Sequence, residues 1–425
     1  MIGVASILLG LSINLGCSEP PHATESVAQP TAHTQSTAHS SVVWSTRNIS
    51  ELRPKSPQRL VYTPQPLPVD PIYSITLDRM GQIVDQYAAD PTNPWAIAHA
   101  LLARGPQLRL TNDKDAIDWL FSEFAEEFTA GTQTLIRFPA RRDGISIEPH
   151  TDLMLKVLTE IGVNPDRVVT VSGNPYPIAD LYRGSLIRSH LQPYENRSSY
   201  KSSDDIPWST QALATWAPSQ LTWLSEDGTG MNLNQLASFG VAVLEQETAF
   251  MTQAMASGAE FDRNGQGIFN YTCGGAHLIQ GTGYTLARGF GDPSLRPTFV
   301  KQIPLMFYRL PRELAIYDAA MRRFGTTHTT ALLIQRLKFS GHFLETMHKL
   351  AALGFYVPSQ EQNLALEGAA KQVALAIEGL SQSGVLDNLN TLRQTNEQQY
   401  LDIIGDSSHA VYALQLAMGD RGIRY

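Results

Sequence analysis

Apolar residues along most of the chain recur at intervals of three and four residues, which is the period of a helix with one buried face. From residue 70 onward this pattern is interrupted by glycine and proline breakers such as Pro91, Gly105 and Gly162. The predicted helices lie at about 73–88, 92–104, 113–128, 149–161, 177–190, 205–217, 231–256, 270–288, 294–324, 328–353, 359–384 and 405–419. The sequence therefore predicts an all-α domain over residues 70–425.

Two short alternating segments interrupt the helical period in a similar way. Residues 167–171 lead through a turn at Gly173 into a predicted helix, and residues 221–224 do the same through Gly228. Both are typical of a β-hairpin that leads into a helix. Gly173 and Gly228 stand 55 residues apart. Segments 134–138 and 144–147 predict a third hairpin.

Five of the eleven histidines stand near the start of a predicted apolar helix, at positions 99, 150, 277, 342 and 409. The intervals are 51, 127, 65 and 67 residues, and a histidine-free segment at 204–208 would divide the longest one. A long period with paired helices is typical of stacked helical hairpins. We therefore expect an (α/α)6 toroid with short β-hairpin inserts, in which the histidines converge at one mouth of a central pocket.

Three short segments also carry a resemblance to uncharacterised bacterial secreted proteins, over most of residues 90–420. They are Trp-Ala-x-x-His at 95–99, Cys-Gly-Gly-x-His at 273–277 and Gly-His-x-x-Glu at 341–345. The chain further resembles the α/α-toroid superfold of terpenoid cyclases, prenyltransferase β-subunits, lanthionine cyclases and six-hairpin glycosidases. It lacks the Asp-rich and Gln-Trp repeats of triterpene cyclases. The resemblance implies a toroid fold but does not identify a reaction, because this superfold hosts many different reactions.

The segment from Tyr271 to His277 carries the clearest chemical pattern. On a helix, Cys273 and His277 would stand four residues apart on one face and could ligate one metal, with His342, His409 or an acid completing a zinc site. The alternative is a buried thiol beside a hydrogen-bonded core histidine. The cofactor therefore stays open, with zinc as the candidate.

A second pattern is Gly341-His342-Phe343-Leu344-Glu345. His342 and Glu345 would share a helical face, either as a proton-transfer pair or as a structural ion pair. Together with His277 and His409 they form the predicted catalytic set. His348 is predicted to be a surface residue near Lys349, and Asp406 a helix N-cap.

The predicted binding residues are those that open other inner helices: Trp95, His99, His150 and Trp208. The tryptophans would either stack on a sugar or another planar ring, or pack the core. A net charge of −8 and a pI of about 5.8 give no basic stripe for a phosphate backbone, so no nucleic-acid partner is expected. The expected ligand is a small molecule or a glycan.

The first sixteen residues are almost wholly apolar or small, and Cys17 follows them. Residues 1–17 resemble bacterial lipoprotein signal peptides, which implies an acylated Cys17 at the mature N-terminus; the alternative is a cleaved secretory signal. Residues 18–69 are rich in Ser, Thr, Pro and Gln and predict a disordered linker. The expected location is the bacterial cell envelope, outer membrane or surface, with a lipid anchor as the sole membrane contact, or the secreted fraction.

Three functions are compatible with these residues. One is an extracellular glycan hydrolase or lyase that uses histidine and carboxylate proton transfer. A second is a zinc-dependent enzyme built on Cys273 and His277. The third is a non-catalytic ligand-binding or structural lipoprotein, so the sequence leaves open whether the domain is an enzyme.

Overall fold

The computed structural model describes residues 42–425, except residues 61, 262 and 264 and the side chains of residues 326 and 327. This part of the chain is mostly helical with small hairpin sheets, so the predicted fold class is confirmed at that level. The predicted signal peptide, Cys17 and residues 18–41 of the predicted linker lie outside the described residues. Among the described helices, none is both long enough and apolar enough to cross a membrane.

Most helix bounds lie within a few residues of the predicted ranges, but the predicted helices 231–256 and 294–324 are each divided in two, and the helix at Leu389–Thr395 was not predicted. The observed helices are α1 Pro71–Ile83, α2 Pro94–Arg104, α3 Ala116–Phe124, α4 Leu153–Glu160, α5 Ala179–Arg188, α6 Ile206–Trp216, α7 Leu233–Glu247, α8 Ala249–Ser257, α9 Ala276–Ala287, α10 Leu295–Val300, α11 Gln302–Phe324, α12 Thr329–Ala352, α13 Gln360–Gln382, α14 Leu389–Thr395 and α15 Glu397–Met418.

Local chemistry explains where several of these helices begin. Asn93 caps α2 by accepting a hydrogen bond from the Ala96 amide, and Pro94 occupies the first turn, where no backbone N–H is needed. Ser359 and Gln362 form a reciprocal capping box at α13. Asn396 caps α15, which begins at Glu397, eight residues before the predicted start at 405. His409 therefore stands in the middle of a helix, as does His342 in α12, and the prediction that both open helices is wrong.

Six helices contact one another in a closed cycle: α2 with α4, α4 with α6, α6 with α9, α9 with α12, α12 with α15, and α15 with α2. The other long helices pack behind them, for example α7 on α9, and α11 and α13 on α12. Glycines allow the closest crossings. A Cβ on Gly281 of α9 would lie 2.5 Å from the carbonyl oxygen of Pro207 in α6, and one on Gly405 of α15 would lie 2.6 Å from the Trp95 ring of α2. The cycle therefore surrounds a shared interior.

The strands form small sheets at the ends of helices: β1 Val43–Trp44, β2 Glu126–Ala130, β3 Gln133–Arg137, β4 Arg141–Arg142, β5 Ile145–Ser146, β6 Val168–Val171, β7 Asn174–Pro177, β8 Leu191–Gln192, β9 Arg197–Ser198, β10 Thr222–Leu224 and β11 Gly230–Asn232. The hairpins β6–β7 and β10–β11 are confirmed. The third is wrong in its pairing, because β3 pairs with β2, whereas β5 pairs with β4 through a tight turn.

Residues 42–60 differ from the predicted linker. Strand β1 pairs in parallel with β10, and the Leu60 amide donates to the Ile423 carbonyl at 3.0 Å. Ile49 and Leu52 are buried in the core. A few apolar side chains in a polar segment are thus enough to hold it on the helices. The ordered domain therefore begins before the predicted boundary at residue 70.

Candidate functional site

A cavity of about 50 Å³ lies inside the cycle of helices, and all five repeat histidines line it. The lining comprises Trp95, His99, Leu102, His150, Leu153, Lys156, Val157, Trp208, Thr272, Cys273, His277, Lys338, His342, Asp402, Gly405, Asp406 and His409. The predicted histidine and tryptophan residues are therefore brought together, although Glu345 lies behind this lining. The volume suits an ion with a few waters, since one water needs about 10–15 Å³ by this measure.

The imidazole rings form a continuous cluster. The centroids of His342 and His409 are 4.1 Å apart, those of His277 and His342 5.1 Å, and those of His99 and His409 5.4 Å. The Nδ1 atom of His99 donates to the Trp95 carbonyl at 2.8 Å, which leaves the lone pair of the neutral ring on Nε2. Histidines from α2, α9, α12 and α15 thus share one small space.

Trp208 does not offer a face to a ligand. Its ring stacks on His150 with centroids 4.1 Å apart and planes 2° from parallel, and the His277 ring lies 4.7 Å away. Trp208 is only 3% exposed. Trp95 packs on His99, with centroids 4.0 Å apart. Both tryptophans therefore pack the histidine cluster, and of the two alternatives left open by the sequence, the structure supports packing.

Cys273 lies in a left-handed turn before α9, so the predicted helical spacing with His277 is wrong. Three successive residues have positive φ: Cys273 at 51°, Gly274 at 61° and Gly275 at 81°. This conformation is uncommon for a residue with a side chain, and it persists only where the surrounding structure enforces it. A Cβ on Gly275 would lie 2.3 Å from the Ile268 side chain, which explains why this position is a glycine.

Neighbouring groups hold this turn firmly. The Asp204 carboxylate accepts from the Thr272 amide at 2.8 Å and from its hydroxyl at 2.6 Å. On the other side, Arg309 donates to the Gly274 carbonyl at 2.7 Å. The turn therefore places the Cys273 sulfur with a ring nitrogen of His277 and one of His342, all within 4.8 Å of one another.

His342 is the most unusual member of the cluster. It is 2% exposed, and neither ring nitrogen has a hydrogen-bond partner. Each nitrogen has a carboxylate oxygen at 3.8 Å, from Glu345 at Nδ1 and from Asp406 at Nε2. Burial, and then the neighbouring His409, hold the pKa of His342 well below its usual value. Burial and His342 do the same for His277. Both rings are therefore neutral, which is the state that binds a metal.

Glu345 is paired mainly with His409 and Lys349. His409 Nδ1 donates to Glu345 Oε2 at 2.7 Å, and Lys349 donates to Oε1. Burial alone would raise the pKa of the Glu345 carboxyl, but Lys349 and His409 hold it well below its usual value. His342, Glu345 and His409 form a second group whose ligand atoms lie within 4.8 Å. An ionised Glu345 fixes the tautomer of His409 and leaves its lone pair on Nε2.

Three charged residues beneath the cluster, Lys156, Glu160 and Lys349, were not predicted from the sequence. Lys156 and Lys349 both pair with Glu160, and Lys349 also pairs with Glu345. Each of these side chains is nearly inaccessible. The pattern Lys-x-x-x-Glu at 156–160, in an otherwise apolar helix, could have indicated a buried ion pair, because charged residues at core positions are almost always paired.

Two more residues, Asp406 and His348, correct the sequence-based interpretation. Asp406 lies within α15 as a buried carboxyl, so its N-cap assignment is wrong; burial raises its pKa although Lys338 opposes the shift. Lys338 bridges Asp402 at 3.0 Å and Asp406 at 3.9 Å. His348 is buried beside Tyr62, with Nδ1 3.2 Å from the hydroxyl, so its surface assignment is also wrong.

Glu148 is expected to make the stability of the domain depend on pH. Burial, and then the nearby Asp152, raise its pKa to about 8, although its Oε1 accepts from the Met154 amide at 2.9 Å. The unfolded value is about 4.3. The folded state therefore holds this proton more tightly, so its stabilising contribution is complete below pH 4 and is lost as the pH rises to 8.

Glu148→Gln should remove this dependence while retaining the acceptor oxygen. Relative to the unchanged protein, the variant should gain about 1 kcal/mol or more in free energy of unfolding between pH 5 and pH 8. Urea titrations at four pH values measure the difference. Glu127→Gln is the control, because the Glu127 carboxylate is exposed and its pKa is lowered by hydrogen bonds from Asn174 and Tyr176. Parallel pH profiles for the Glu148 variant and the unchanged protein would contradict the expectation.

The chain matches no protein-family model, and comparisons with curated proteins and with solved structures find no significant match.

Proposed function

We propose that this chain is a zinc-dependent enzyme whose metal is bound by Cys273, His277 and His342 at the centre of an (α/α)6 toroid. The observation that carries the proposal is the approach of one sulfur and two ring nitrogens to within 4.8 Å of one another around a cavity of about 50 Å³. One thiolate and two neutral imidazoles are a ligand set that suits zinc, and three protein ligands are typical of catalytic zinc sites. The closed cycle of six inner helices supports the toroid.

The surroundings of these atoms fit a cation. Both nitrogens of His342 lack a partner in a fully buried position, which costs free energy unless a ligand binds them. The carboxylates of Glu345 and Asp406 each lie 3.8 Å from that ring. Of these two groups, Glu345 is kept ionised by Lys349 and His409, and its negative charge would favour a cation bound at His342. The strained turn at Cys273 supports the same conclusion, because such a conformation persists only where other contacts enforce it.

His409 is the base in this proposal. Its Nδ1 is held by the ionised Glu345, so Nε2 can accept a proton inside the cavity that His342 and His277 also line. A bound zinc ion would lower the pKa of a coordinated water towards 7. His409 would be placed to accept a proton on Nε2, and Glu345 would stabilise the imidazolium form of that ring. The reaction class that follows is hydrolysis of a small substrate.

The glycan-acting alternative has weaker support. Pockets for drug-sized ligands usually measure about 300–1,000 Å³, whereas this cavity has about 50 Å³. Trp95 and Trp208, the residues expected to stack on a sugar, pack instead against His99 and His150.

Metal analysis tests the proposal directly. The purified full chain should contain about one equivalent of zinc, and Cys273→Ser or His342→Ala should weaken zinc affinity by more than about 100-fold. Replacement by cobalt(II) should produce a sulfur-to-metal absorption band in the near ultraviolet that Cys273→Ser abolishes. His328→Ala, at an exposed histidine remote from the cavity lining, should retain both properties. A folded wild type that binds neither metal would overturn the proposal.

We further propose that an acylated Cys17 anchors the domain to the bacterial envelope, as residues 1–17 suggest. In that case Cys17→Ser should shift the protein from the membrane fraction to the soluble fraction, or leave it unprocessed. Cell fractionation and mass spectrometry of the mature N-terminus measure this. Identical fractionation of wild type and variant, with an unmodified N-terminus in both, would favour a simple cleaved signal.

A further inference from the structure

A second cavity, of about 340 Å³, lies at the opposite end of the same helices. Helix α2 contributes Trp95 and His99 to the histidine cavity, but Ala103 and Arg104 to this one. Helix α4 likewise contributes Lys156 to the first and Glu160 to the second. The five residues from His99 to Arg104 rise about 7 Å along the helix. The two cavities therefore open towards opposite mouths of the cycle.

Two distant segments meet at this second mouth. The Gln58 amide donates to the Tyr425 carbonyl at 2.9 Å, and the Tyr425 amide donates to the Gln58 carbonyl at 3.0 Å. Arg59 and Arg424 form an antiparallel bridge between these segments. The pairing brings four arginines to one cavity wall: Arg59, Arg104, Arg421 and Arg424.

The positive charge of this wall is not balanced within the part of the chain that the structure describes. Arg104 pairs with Asp85 at 2.6 Å, whereas Arg59, Arg421 and Arg424 have no carboxylate within ion-pair distance there. Of the two acids in the lining, Glu160 is already paired with Lys156 and Lys349. The other is the exposed Asp420. A cavity with surplus arginine in a chain of net charge −8 requires an explanation.

Arg421 is held in a fixed orientation. Its Nη1 donates to the Ala103 carbonyl at 2.7 Å and to the Gln415 side chain at 3.1 Å, and its guanidinium lies 4.6 Å from the centre of the Tyr412 ring. Burial, with a smaller contribution from Arg424, lowers the pKa of Arg421. A guanidinium fixed in place loses little conformational entropy when it binds a planar or tetrahedral oxyanion.

We propose that this second cavity binds a small molecule through its phosphate or carboxylate group, with Arg59, Arg421 and Arg424 as the recognition residues. The volume of about 340 Å³ admits an anionic group together with a small attached body. This site is independent of the proposed zinc centre, which uses residues from the other end of the helices. It adds a ligand class that the histidine cavity is too small to hold.

Isothermal titration of the full chain tests this site, with inorganic phosphate and citrate as probes and glucose as the uncharged comparison. We expect saturable binding of one equivalent of phosphate or citrate, weakened at higher salt, and no binding of glucose. Tighter phosphate binding assigns a phosphorylated ligand, and tighter citrate binding a carboxylated one.

The double variant Arg59→Gln/Arg424→Gln should weaken anion binding at least tenfold. These two side chains are chosen because Arg421 also supports the fold through Ala103. Arg322→Ala removes an exposed arginine outside the cavity and should bind the anion normally. Cys273→Ser should also bind the anion normally, which separates this site from the zinc centre. Absence of saturable binding of both anions to the wild type, or undiminished binding to the folded double variant, would overturn the proposal.

Discussion

Lys349→Met is expected to lower the free energy of unfolding by about 3–5 kcal/mol, because it leaves one negative charge of the buried ion network uncompensated. Lys349 forms ion pairs with both Glu160 and Glu345, and its side chain is inaccessible to solvent. Its ammonium also donates to the Gln280 side chain at 2.9 Å. Methionine has nearly the same volume and shape, so the expected loss comes from the charge and its hydrogen bonds. Chemical denaturation followed by circular dichroism measures the change.

A surface pair of the same spacing provides the matched control. Lys371 and Glu367 also stand four residues apart on a helix, but Lys371 has half of its side chain exposed. Lys371→Met should therefore change stability by less than about 0.5 kcal/mol. Adding Glu345→Gln to Lys349→Met should restore part of the loss, since one uncompensated charge disappears. Equal stability of both single lysine variants would falsify the assignment of Lys349 to a buried ion network.

Much of the fold could be predicted from the sequence because helical amphipathicity depends on local spacing alone. The bounds of α2, α6 and α13 all follow from apolar period, caps and breakers. The pairing of β3 was not predictable in the same way, since strand partners depend on register and turn geometry. Residues 42–60 escaped prediction because tertiary contacts, rather than their composition, hold them on the domain.

The sequence predicted which residues line the site but not how they are arranged. The long repeat indicated that histidines 99, 150, 277, 342 and 409 share a pocket, and they line one cavity. The approach of Cys273 to His277 arises from three left-handed residues, whereas the sequence suggested a helical spacing. The network of Lys156, Glu160 and Lys349 was missed because lysine and glutamate are usually exposed. Only the three-dimensional packing shows that these charges compensate one another.

The buried network also connects the two cavities. Lys156 lines the histidine cavity, its partner Glu160 lines the arginine-rich cavity, and Lys349 links Glu160 to Glu345. Glu345 in turn accepts from His409. These ion pairs form a continuous chain in a medium of low effective dielectric constant, where each buried charge is stabilised by its neighbours. Such a chain explains why so many charged groups are retained in the core of a helical domain.

Zinc is expected to stabilise the folded domain by about 4 kcal/mol when its free concentration is 1,000 times the dissociation constant. The physical reason is that Cys273, His277 and His342 come from two helices and a turn, and only folding brings them within 4.8 Å. Thermal unfolding of zinc-loaded and chelator-treated full chain should therefore differ by several degrees, and adding zinc back should restore the higher midpoint.

The same measurement on variants identifies the atoms responsible for this stabilisation. Cys273→Ser should unfold at the same temperature with and without zinc, because the serine hydroxyl is a far weaker zinc ligand than a thiolate. His328→Ala should keep the full zinc-dependent shift, since His328 is exposed and does not line the cavity. A wild-type midpoint that does not respond to zinc would count against the metal centre. An undiminished shift in Cys273→Ser would instead move the ligand set to His342, Glu345 and His409, the other group whose ligand atoms lie within 4.8 Å of one another.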